Sequence, residues 1–313
     1  MSSIRSELNA QIDSENRSRS PLSAGLLHIL MPICLSICAV VFSETMSAIF
    51  PAYGIIFKTA VVFFIGTRWR ALGNIIHECA HGIFVDKPKH NEILGHLLSS
   101  IEFTDFNLYC KHHQTHHAHL GDPDHDLDFK ARHTFLGDHT PSKRQFIITI
   151  LSAVSLFPLW AKQARPVLWS GNIPFWANFF RIHLLAITLV GLLYAPTSSH
   201  IFLYGILPFA TSYQWMRLFS DCADHIFLYN NQNEVDRSRN HIFQTSWLNA
   251  LLFPRNDAYH LVHHLFPNLP TRSYPIVHAR FLNNAWYARK SHTLPLLRGG
   301  YRTAELESQG QSR

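Results

Sequence analysis

Histidines at helical spacing are the residues of this chain best suited to chemistry. Nine of the 22 histidines stand in three short clusters and one isolated position: His77, His81, His113, His116, His117, His225, His260, His263 and His264. Residues three and four apart share one face of a helix, so each cluster points two or three imidazoles in one direction. Neutral imidazole binds iron, zinc and copper, and a single ion takes three or four protein ligands. These histidines therefore predict two metal ions.

The apolar segments predict a membrane protein. Charged residues make up only 15% of the chain and apolar residues 47%, against a usual charged fraction of about 25%. Four apolar stretches, with their flanks, reach the length of about 20 residues that a spanning helix needs. They predict an all-α integral membrane protein with four transmembrane helices in two hairpins, at about 23–43, 48–68, 175–195 and 200–219. This domain covers 21–290, between a disordered tail at 1–20 and a C-terminal tail at 291–313.

The charges of the loops predict the orientation of these helices. The connections around 44–47 and 196–200 contain no Lys or Arg, whereas the N-terminal tail, the middle segment and the C-terminal region are basic. By the positive-inside rule, both termini and the middle segment are cytoplasmic, and all nine histidines fall on that side as part of a helical cap. The apolar segment 145–160 is predicted to lie at the membrane interface rather than to cross it.

Aspartates near the histidines are candidates for orienting the ligands. Asp221 lies four residues before His225 and could fix its ring or hold a metal-bound water, although the same spacing also fits an Arg217–Asp221 ion pair. An acidic run after the second cluster consists of Asp122, Asp124, Asp126 and Asp128, of which Asp124 and Asp128 are the main candidates. They are predicted to orient the ligands, and a solvated turn is the alternative.

Other classes of site have little support in the sequence. The five cysteines are scattered, which indicates neither a disulfide framework nor a cysteine-ligated metal. The net charge of +6 fits contact with anionic lipid headgroups, and no nucleic-acid motif accompanies it. We therefore expect membrane lipid, and no nucleic acid, as a partner.

The clusters resemble the histidine boxes of the membrane fatty-acid desaturase superfamily. They read H-E-C-A-H at 77–81, H-Q-T-H-H at 113–117 and H-L-V-H-H at 260–264. The wider contexts at 111–128 and 259–270 resemble the sphingolipid-desaturase branch. The resemblance covers roughly residues 20 to 290 and implies a four-helix mushroom whose cytoplasmic cap holds two Fe²⁺ ions, with O2 as co-substrate. It also implies that His225 is the extra ligand after the last span, and it indicates no catalytic residue beyond the ligands.

The function that this resemblance implies is O2-dependent introduction of a double bond into an aliphatic chain of a lipid or fatty-acyl substrate. Two electrons must come from a separate ferredoxin, or from cytochrome b5 with its reductase, because the chain has no H-P-G-G segment and no rubredoxin-like cysteine pairs. Alternatives within the superfamily are a desaturase or hydroxylase of a small secondary metabolite, such as a rhizobitoxine-type amino acid, and a carotenoid or alkane oxygenase. A bacterial inner membrane is favoured over the endoplasmic reticulum.

Two other readings of the histidines remain open. H-E-C-A-H is also the H-E-x-x-H motif of zinc metalloproteases, with Glu78 as general base, but this interpretation leaves six or seven clustered histidines unexplained. A metal transporter or sensor is disfavoured because transporters place their ionisable ligands within the spans, whereas these clusters lie outside them.

Overall fold

The chain is helical throughout the part that the structure describes. This computed structural model describes residues 2–129, 172–225, 228–229 and 231–293. Within these ranges there is no β-strand beyond one isolated bridge between Ser20 and Val85. The predicted all-α class is therefore confirmed.

The helices fall into an N-terminal set, a middle set and a C-terminal set. The first set is α1 (Ser2–Ala10), α2 (Ser14–Arg17), α3 (Leu22–Ile49), α4 (Gly54–Ala80), α5 (Pro88–Ile101) and α6 (Phe106–Ala118). The middle set is α7 (Phe175–Leu193), α8 (Ala195–His200) and α9 (Gln214–His225), with π-helical turns at Ile201–Ile206 and Phe209–Tyr213 between α8 and α9. The last set is α10 (Ser246–Leu252), α11 (His260–Leu265), α12 (Tyr274–Phe281) and α13 (Ala285–Ala288).

Two of these helices, α3 and α7, are long and apolar enough to cross a membrane. They have 28 and 19 residues, and only 11% of the most apolar window of each is buried within the protein. Their outward side chains include Leu27 and Ile187, which are 67% and 69% exposed. So large an apolar surface is typical of contact with lipid rather than water. These helices coincide with the predicted spans 23–43 and 175–195, while the predicted spans 48–68 and 200–219 fall on α4 and on the α8–α9 stretch.

A close approach joins α4 to the helical stretch that leads into α9. A Cβ on Gly66 would lie only 2.2 Å from Ser212 Oγ, so a side chain at this position would force the two backbones apart. Ser212 Oγ in turn donates a hydrogen bond of 2.7 Å to the Val62 carbonyl. The contact holds the two helices together, and both end at histidines, α4 next to His81 and α9 at His225.

The predicted disorder of residues 1–20 is wrong for the segment 2–17. This segment forms α1 and α2, and Leu8 is fully buried in an apolar cluster with Leu261, Leu265 and Phe281. Arg5 also donates a hydrogen bond of 3.4 Å to the His264 carbonyl. Few apolar residues stand in this polar segment, so its composition resembles that of a disordered tail. Those few are buried against a distant part of the chain, which composition cannot reveal.

Two predicted segments lie wholly or largely outside the described residues. They are the interfacial segment 145–160 and the C-terminal tail, of which only residues 291–293 are described. Within that short part, His292 Nε2 donates a hydrogen bond of 2.9 Å to the Tyr287 carbonyl.

Candidate metal centre

The clustered histidines lie on helices that come from distant parts of the chain. His77 and His81 are at the C-terminal end of α4, and the second cluster occupies α6. His225 is the last residue of α9, and the third cluster lies on α11. Asp105 begins α6 by accepting hydrogen bonds from the backbone N–H groups of Asn107 and Leu108. This is an ordinary N-cap, and it sets the start of the helix that carries the second cluster.

The structure brings all nine predicted histidines together in two groups, and the ligand atoms of each group lie within 4.8 Å of one another. We call them the five-histidine group and the four-histidine group. The first contains His77, His81, His113, His117 and His263, and the second contains His116, His225, His260 and His264. The groups are adjacent, because the ring centroids of His117 and His264, one from each group, are 4.5 Å apart. Each group could hold one metal ion.

Helical geometry explains how the clusters divide between the groups. In each H-x-x-H-H sequence the first and last histidines are four residues apart and share a helix face, whereas the last two are consecutive and point about 100° apart. His113 and His117 therefore enter the five-histidine group, and His260 and His264 enter the four-histidine group. The remaining histidine of each sequence, His116 or His263, joins the opposite group. Both α6 and α11 thus contribute to both groups.

The facing atoms of the five-histidine group are Nε2 nitrogens at distances that hydrogen bonding alone does not explain. His113 Nε2 lies 2.8 Å from His77 Nε2, 2.8 Å from His81 Nε2 and 3.0 Å from His117 Nε2. A ring nitrogen carries at most one proton, so one N–H cannot serve three neighbours. The remaining lone pairs point at one another and repel unless a cation lies between them.

In the four-histidine group the Nε2 atoms also face one another, and residues outside the group bind the Nδ1 atoms and so define the tautomers. His225 Nδ1 lies 2.9 Å from the Arg237 carbonyl, which can only accept, so this nitrogen carries the proton. His116 Nδ1 lies 2.9 Å from the Asp126 carboxylate, which favours the same tautomer. In a neutral ring a protonated Nδ1 leaves Nε2 as a bare acceptor. The two Nε2 atoms are nevertheless only 3.1 Å apart.

Burial keeps several of these imidazoles in the neutral form that binds metals. Burial lowers the pKa of His77 to about 4. Burial also lowers the pKa of His117 to about 3, and the neighbouring imidazoles of His116 and His77 lower it further. Burial also lowers the pKa of His113, His260 and His263 well below the ordinary value. Nitrogens at right angles around a cation at about 2.1 Å would lie about 3 Å apart, which matches the separations in both groups. The donor set therefore fits two metal ions.

Asp126, rather than the predicted Asp124, contacts a histidine of the second cluster. Asp126 is fully buried, and it accepts hydrogen bonds from the backbone N–H groups of Gly121 and Phe129 as well as contacting His116. Burial alone would raise the pKa of Asp126, but the His116 and backbone hydrogen bonds lower it to about 2. Asp124 is exposed in a turn capped by Asp122, which corrects its predicted role. The predicted Asp128 lies 3.7 Å from His113 Nδ1.

On α9, Asp224 rather than the predicted Asp221 approaches a candidate ligand. Its carboxylate lies 3.5 Å from His260 Nδ1 and 3.4 Å from His241 Nδ1. Among the described residues no hydrogen bond or ion pair joins Asp221 to a histidine. A residue four positions before His225 shares its helix face, whereas the residue just before it points about a quarter-turn away. The i, i+4 pattern singled out Asp221, whereas the neighbouring Asp224 is the residue that contacts α11.

Glu78 of the H-E-C-A-H sequence does not contact the metal groups as a protease base would. Its carboxylate forms a two-bond ion pair with Arg255, and Arg255 Nη2 to Glu78 Oε2 measures 2.8 Å. The side chain of Glu78 is 3% exposed. Both carboxylate oxygens are thus engaged by a guanidinium, which argues against a general base. Tyr274 is a further contact that sequence analysis missed, since its Oη lies 3.1 Å from His263 Nδ1.

The outer carboxylate of the four-histidine group gives a testable prediction. Asp126→Asn is expected to weaken metal binding and turnover about 10–100-fold, the usual cost of losing such a partner, because the uncharged amide no longer holds the His116 tautomer firmly. Metal retained per chain after dialysis against a chelator is the measurement. Asp124→Asn, two residues away and exposed, is the matched control. Equal metal loss in both variants would contradict the assignment.

Nine imidazoles in two adjacent groups, in an all-helical protein with two helices apolar enough to cross a membrane, form a site that could hold two metal ions. The fatty acid desaturase family model matches residues 56–294, which is more than half of the chain. The chain belongs to the fatty acid desaturase family.

The chain is similar to several members of this family. It is 26% identical to the dihydrorhizobitoxine desaturase of Bradyrhizobium elkanii over 67% of this chain and 63% of that protein. It is 24% identical to a probable fatty acid desaturase of Sorghum bicolor over 66% of this chain and 58% of that protein. A shorter match, 31% identical over 31% of this chain and 22% of the relative, is to the chloroplastic sn-2 acyl-lipid omega-3 desaturase (ferredoxin) of Arabidopsis thaliana. The chain thus spans about six-tenths of the first two relatives.

Proposed function

We propose that this protein is a membrane-bound, O2-dependent desaturase that introduces a double bond into an aliphatic chain of a lipid or fatty-acyl substrate. The observation that carries the proposal is the convergence of nine imidazole nitrogens in two adjacent groups of five and four. Family membership supports the same reaction.

The two histidine groups would hold two Fe²⁺ ions, one in each group. When bound, these ions would supply the reduction of O2 that permits hydrogen to be removed from an unactivated C–H bond. The chain's own contribution is to keep the rings neutral and oriented. Asp126, Asp224, Tyr274 and the Arg237 carbonyl contact the outer nitrogens of ligands on three different helices, so each ring turns its Nε2 inward.

We further propose four membrane-spanning helices, with both termini and the metal centre on the cytoplasmic side. The apolar, exposed surfaces of α3 and α7 support this arrangement. Contacts at the far end of the hairpins support it as well. Tyr204 donates a hydrogen bond of 2.5 Å to Glu44, near the two connections that lack Lys and Arg. A bacterial inner membrane is the proposed location.

An external electron donor is part of the proposal. Forming a double bond while reducing O2 to water requires two electrons that the substrate does not provide. A relative in Arabidopsis thaliana carries ferredoxin in its name, which supports ferredoxin as one candidate. Cytochrome b5 with its reductase is the other.

A small secondary metabolite is the second candidate substrate. The observation that favours it is the similarity to the dihydrorhizobitoxine desaturase of Bradyrhizobium elkanii, which extends over 67% of this chain. The reported relatives give no comparable support for a carotenoid or alkane oxygenase. A sphingolipid substrate rests on the motif context alone and stays a prediction.

Expression in a host without desaturases tests the proposal and distinguishes the substrates. Lipids and polar metabolites from cells with the parent protein are compared by mass spectrometry with those from cells with His113→Ala. We expect one compound class to lose two hydrogens only with the parent. A change among acyl chains supports the lipid substrate, and a change among polar metabolites supports the second candidate. A gain of one oxygen in place of the hydrogen loss would overturn desaturation.

A further inference from the structure

A four-residue segment that ends three positions before the third histidine cluster is tied to one face of α4. This segment, 254–257, leads into α11, which supplies histidines to both metal groups. The residues of α4 that bind it are Arg70, Asn74 and Glu78, spaced four apart. That spacing places them on one side of the helix. We call these residues and the segment they bind the α4 clamp.

Two of the clamp contacts bind the ends of the segment. Asn74 Nδ2 donates a hydrogen bond of 2.8 Å to the Pro254 carbonyl. Arg70 Nη2 lies 2.8 Å from Asp257 Oδ2, and the Ser220 hydroxyl donates to the same oxygen at 2.7 Å. Both residues have little solvent exposure: Asn74 as a whole is 4% exposed, and the side chain of Asp257 is 8% exposed. Water therefore competes little with these contacts.

The third contact is the ion pair between Glu78 and Arg255. Arg255 donates two hydrogen bonds, from Nε and Nη2, to the two oxygens of the Glu78 carboxylate. This two-bond geometry fixes the orientation of the side chains as well as their distance. The side chains are 3% and 15% exposed. The Arg255 guanidinium also lies 5.1 Å from the centroid of the Phe84 ring. Arg255 is thereby held in position from two sides.

The backbone of the clamped segment needs such support. Arg255 has φ 64° and ψ 32°, and Asn256 has φ 62°. These are left-handed conformations that non-glycine residues adopt only at an energetic cost, particularly a long side chain such as arginine. Two in succession turn the chain sharply toward α11. Without contacts that hold it, this turn would relax and α11 would shift.

We propose that Glu78 is a positioning residue that sets the third histidine cluster against the first through Arg255. The inference rests on the proposed two-metal function. Glu78 stands beside His77 on α4, so the clamp ties α11 to the helix that supplies two ligands of the five-histidine group. Because α11 gives His263 to that group and His260 and His264 to the other, a displaced α11 weakens both metal sites.

The test measures Co²⁺ binding to the purified, metal-free full chain in detergent, together with the thermal midpoint of unfolding. Glu78→Gln removes the charge and the fork while keeping the shape of the side chain. We expect about 10–100-fold weaker Co²⁺ binding at both sites, the range found for lost outer partners of metal ligands. The visible absorption of bound Co²⁺ should also change.

A paired variant separates positioning from stability. Removing one partner of a buried ion pair leaves an uncompensated charge, whereas replacing both by apolar side chains of similar size often restores stability. Glu78→Leu with Arg255→Met is therefore expected to unfold at a higher temperature than Glu78→Gln. Its Co²⁺ affinity is expected to stay as low as that of Glu78→Gln, because the directional contact is still missing. If Glu78→Gln does not fold, the Co²⁺ affinity of the paired variant is compared with that of the parent protein instead.

Glu102→Gln is the matched control. Glu102 is buried and accepts a hydrogen bond of 2.6 Å from Tyr213. In the described part of the chain no hydrogen bond joins it to the clamp or to a histidine, and the clamp residue Arg70 acts on it through its charge. It should lose thermal stability and keep both Co²⁺ affinities.

The outcomes distinguish this inference from the proposed function. A parent protein that binds fewer than two Co²⁺ ions overturns the two-metal proposal itself. A parent that binds two, with unchanged affinities in Glu78→Gln, overturns the clamp alone. Recovery of affinity together with stability in the paired variant, or equal loss of affinity in Glu102→Gln, also overturns it.

Discussion

Replacement of His225 by alanine is expected to abolish desaturation and to lower the metal content from two ions to one per chain. His225 is fully buried, and its Nε2 lies 3.1 Å from that of His116 and 2.9 Å from that of His260. It belongs to the four-histidine group alone, so the variant leaves three histidines there and the other five untouched. We expect a loss of activity of more than about a hundredfold, since outer partners alone are worth 10–100-fold.

Metal analysis of the purified variant, alongside turnover, checks this expectation. His125→Ala is the matched control, because the His125 side chain is 65% exposed and pairs with Asp122 beside the second cluster. The control should retain two ions and full turnover. Two ions and full activity in His225→Ala would remove His225 from the ligand set.

Product formation is expected to stop completely without O2 or without a reductant. Converting a CH2–CH2 unit to CH=CH releases two hydrogens, and reducing one O2 to two waters takes these together with two external electrons and two protons. One O2 is therefore consumed for each double bond. Anaerobic assays with purified protein, a reduced electron donor and a membrane lipid extract measure this, and readmission of air is the control that shows the protein is intact.

Labelled oxygen separates this reaction from hydroxylation. With ¹⁸O2, desaturation places both labelled atoms in water and leaves the product unlabelled, whereas hydroxylation places one in the product. Double bonds formed at an undiminished rate under nitrogen would contradict an oxidase of any kind.

The histidines of the candidate metal centre could be predicted from the sequence because the spacings that mark them are local. Spacings of three and four residues define a helix face without any knowledge of tertiary structure, and all nine predicted histidines meet in the two groups. The division of each H-x-x-H-H sequence between the groups does not follow from this rule, because the middle histidine is three residues from the first, and it becomes evident only when α6 and α11 are placed face to face.

The outer partners could not be predicted equally well because they depend on packing between distant segments. Asp126 reaches His116 through a tight turn, and Asp224 contacts His260 across two helices. No periodicity relates these pairs. The Glu78–Arg255 contact joins residues 177 positions apart, and the motif suggested a catalytic role for the glutamate instead.

The long apolar helices α3 and α7 could be predicted from the sequence, whereas the packing of the N-terminal segment could not, because it depends on contacts with distant residues. Long apolar runs located α3 and α7, because a surface in contact with lipid must be apolar along its whole length. The N-terminal segment was misjudged, since Leu8 and Ile12 are too few to form a pattern but are enough to pack against α11 and α12. Their burial depends on a partner more than 200 residues away.

The sharing of α6 and α11 between the two histidine groups has a consequence for how the protein is assembled with its metals. An ion that enters one group immobilises both shared helices and so prepares the other group for its own ion. Because such coupling is reciprocal, chains with a single ion should be scarce at intermediate metal concentrations. Maturation in the cell would then resemble an all-or-none event, and a shortage of metal would reduce the number of complete molecules rather than leave many half-filled ones.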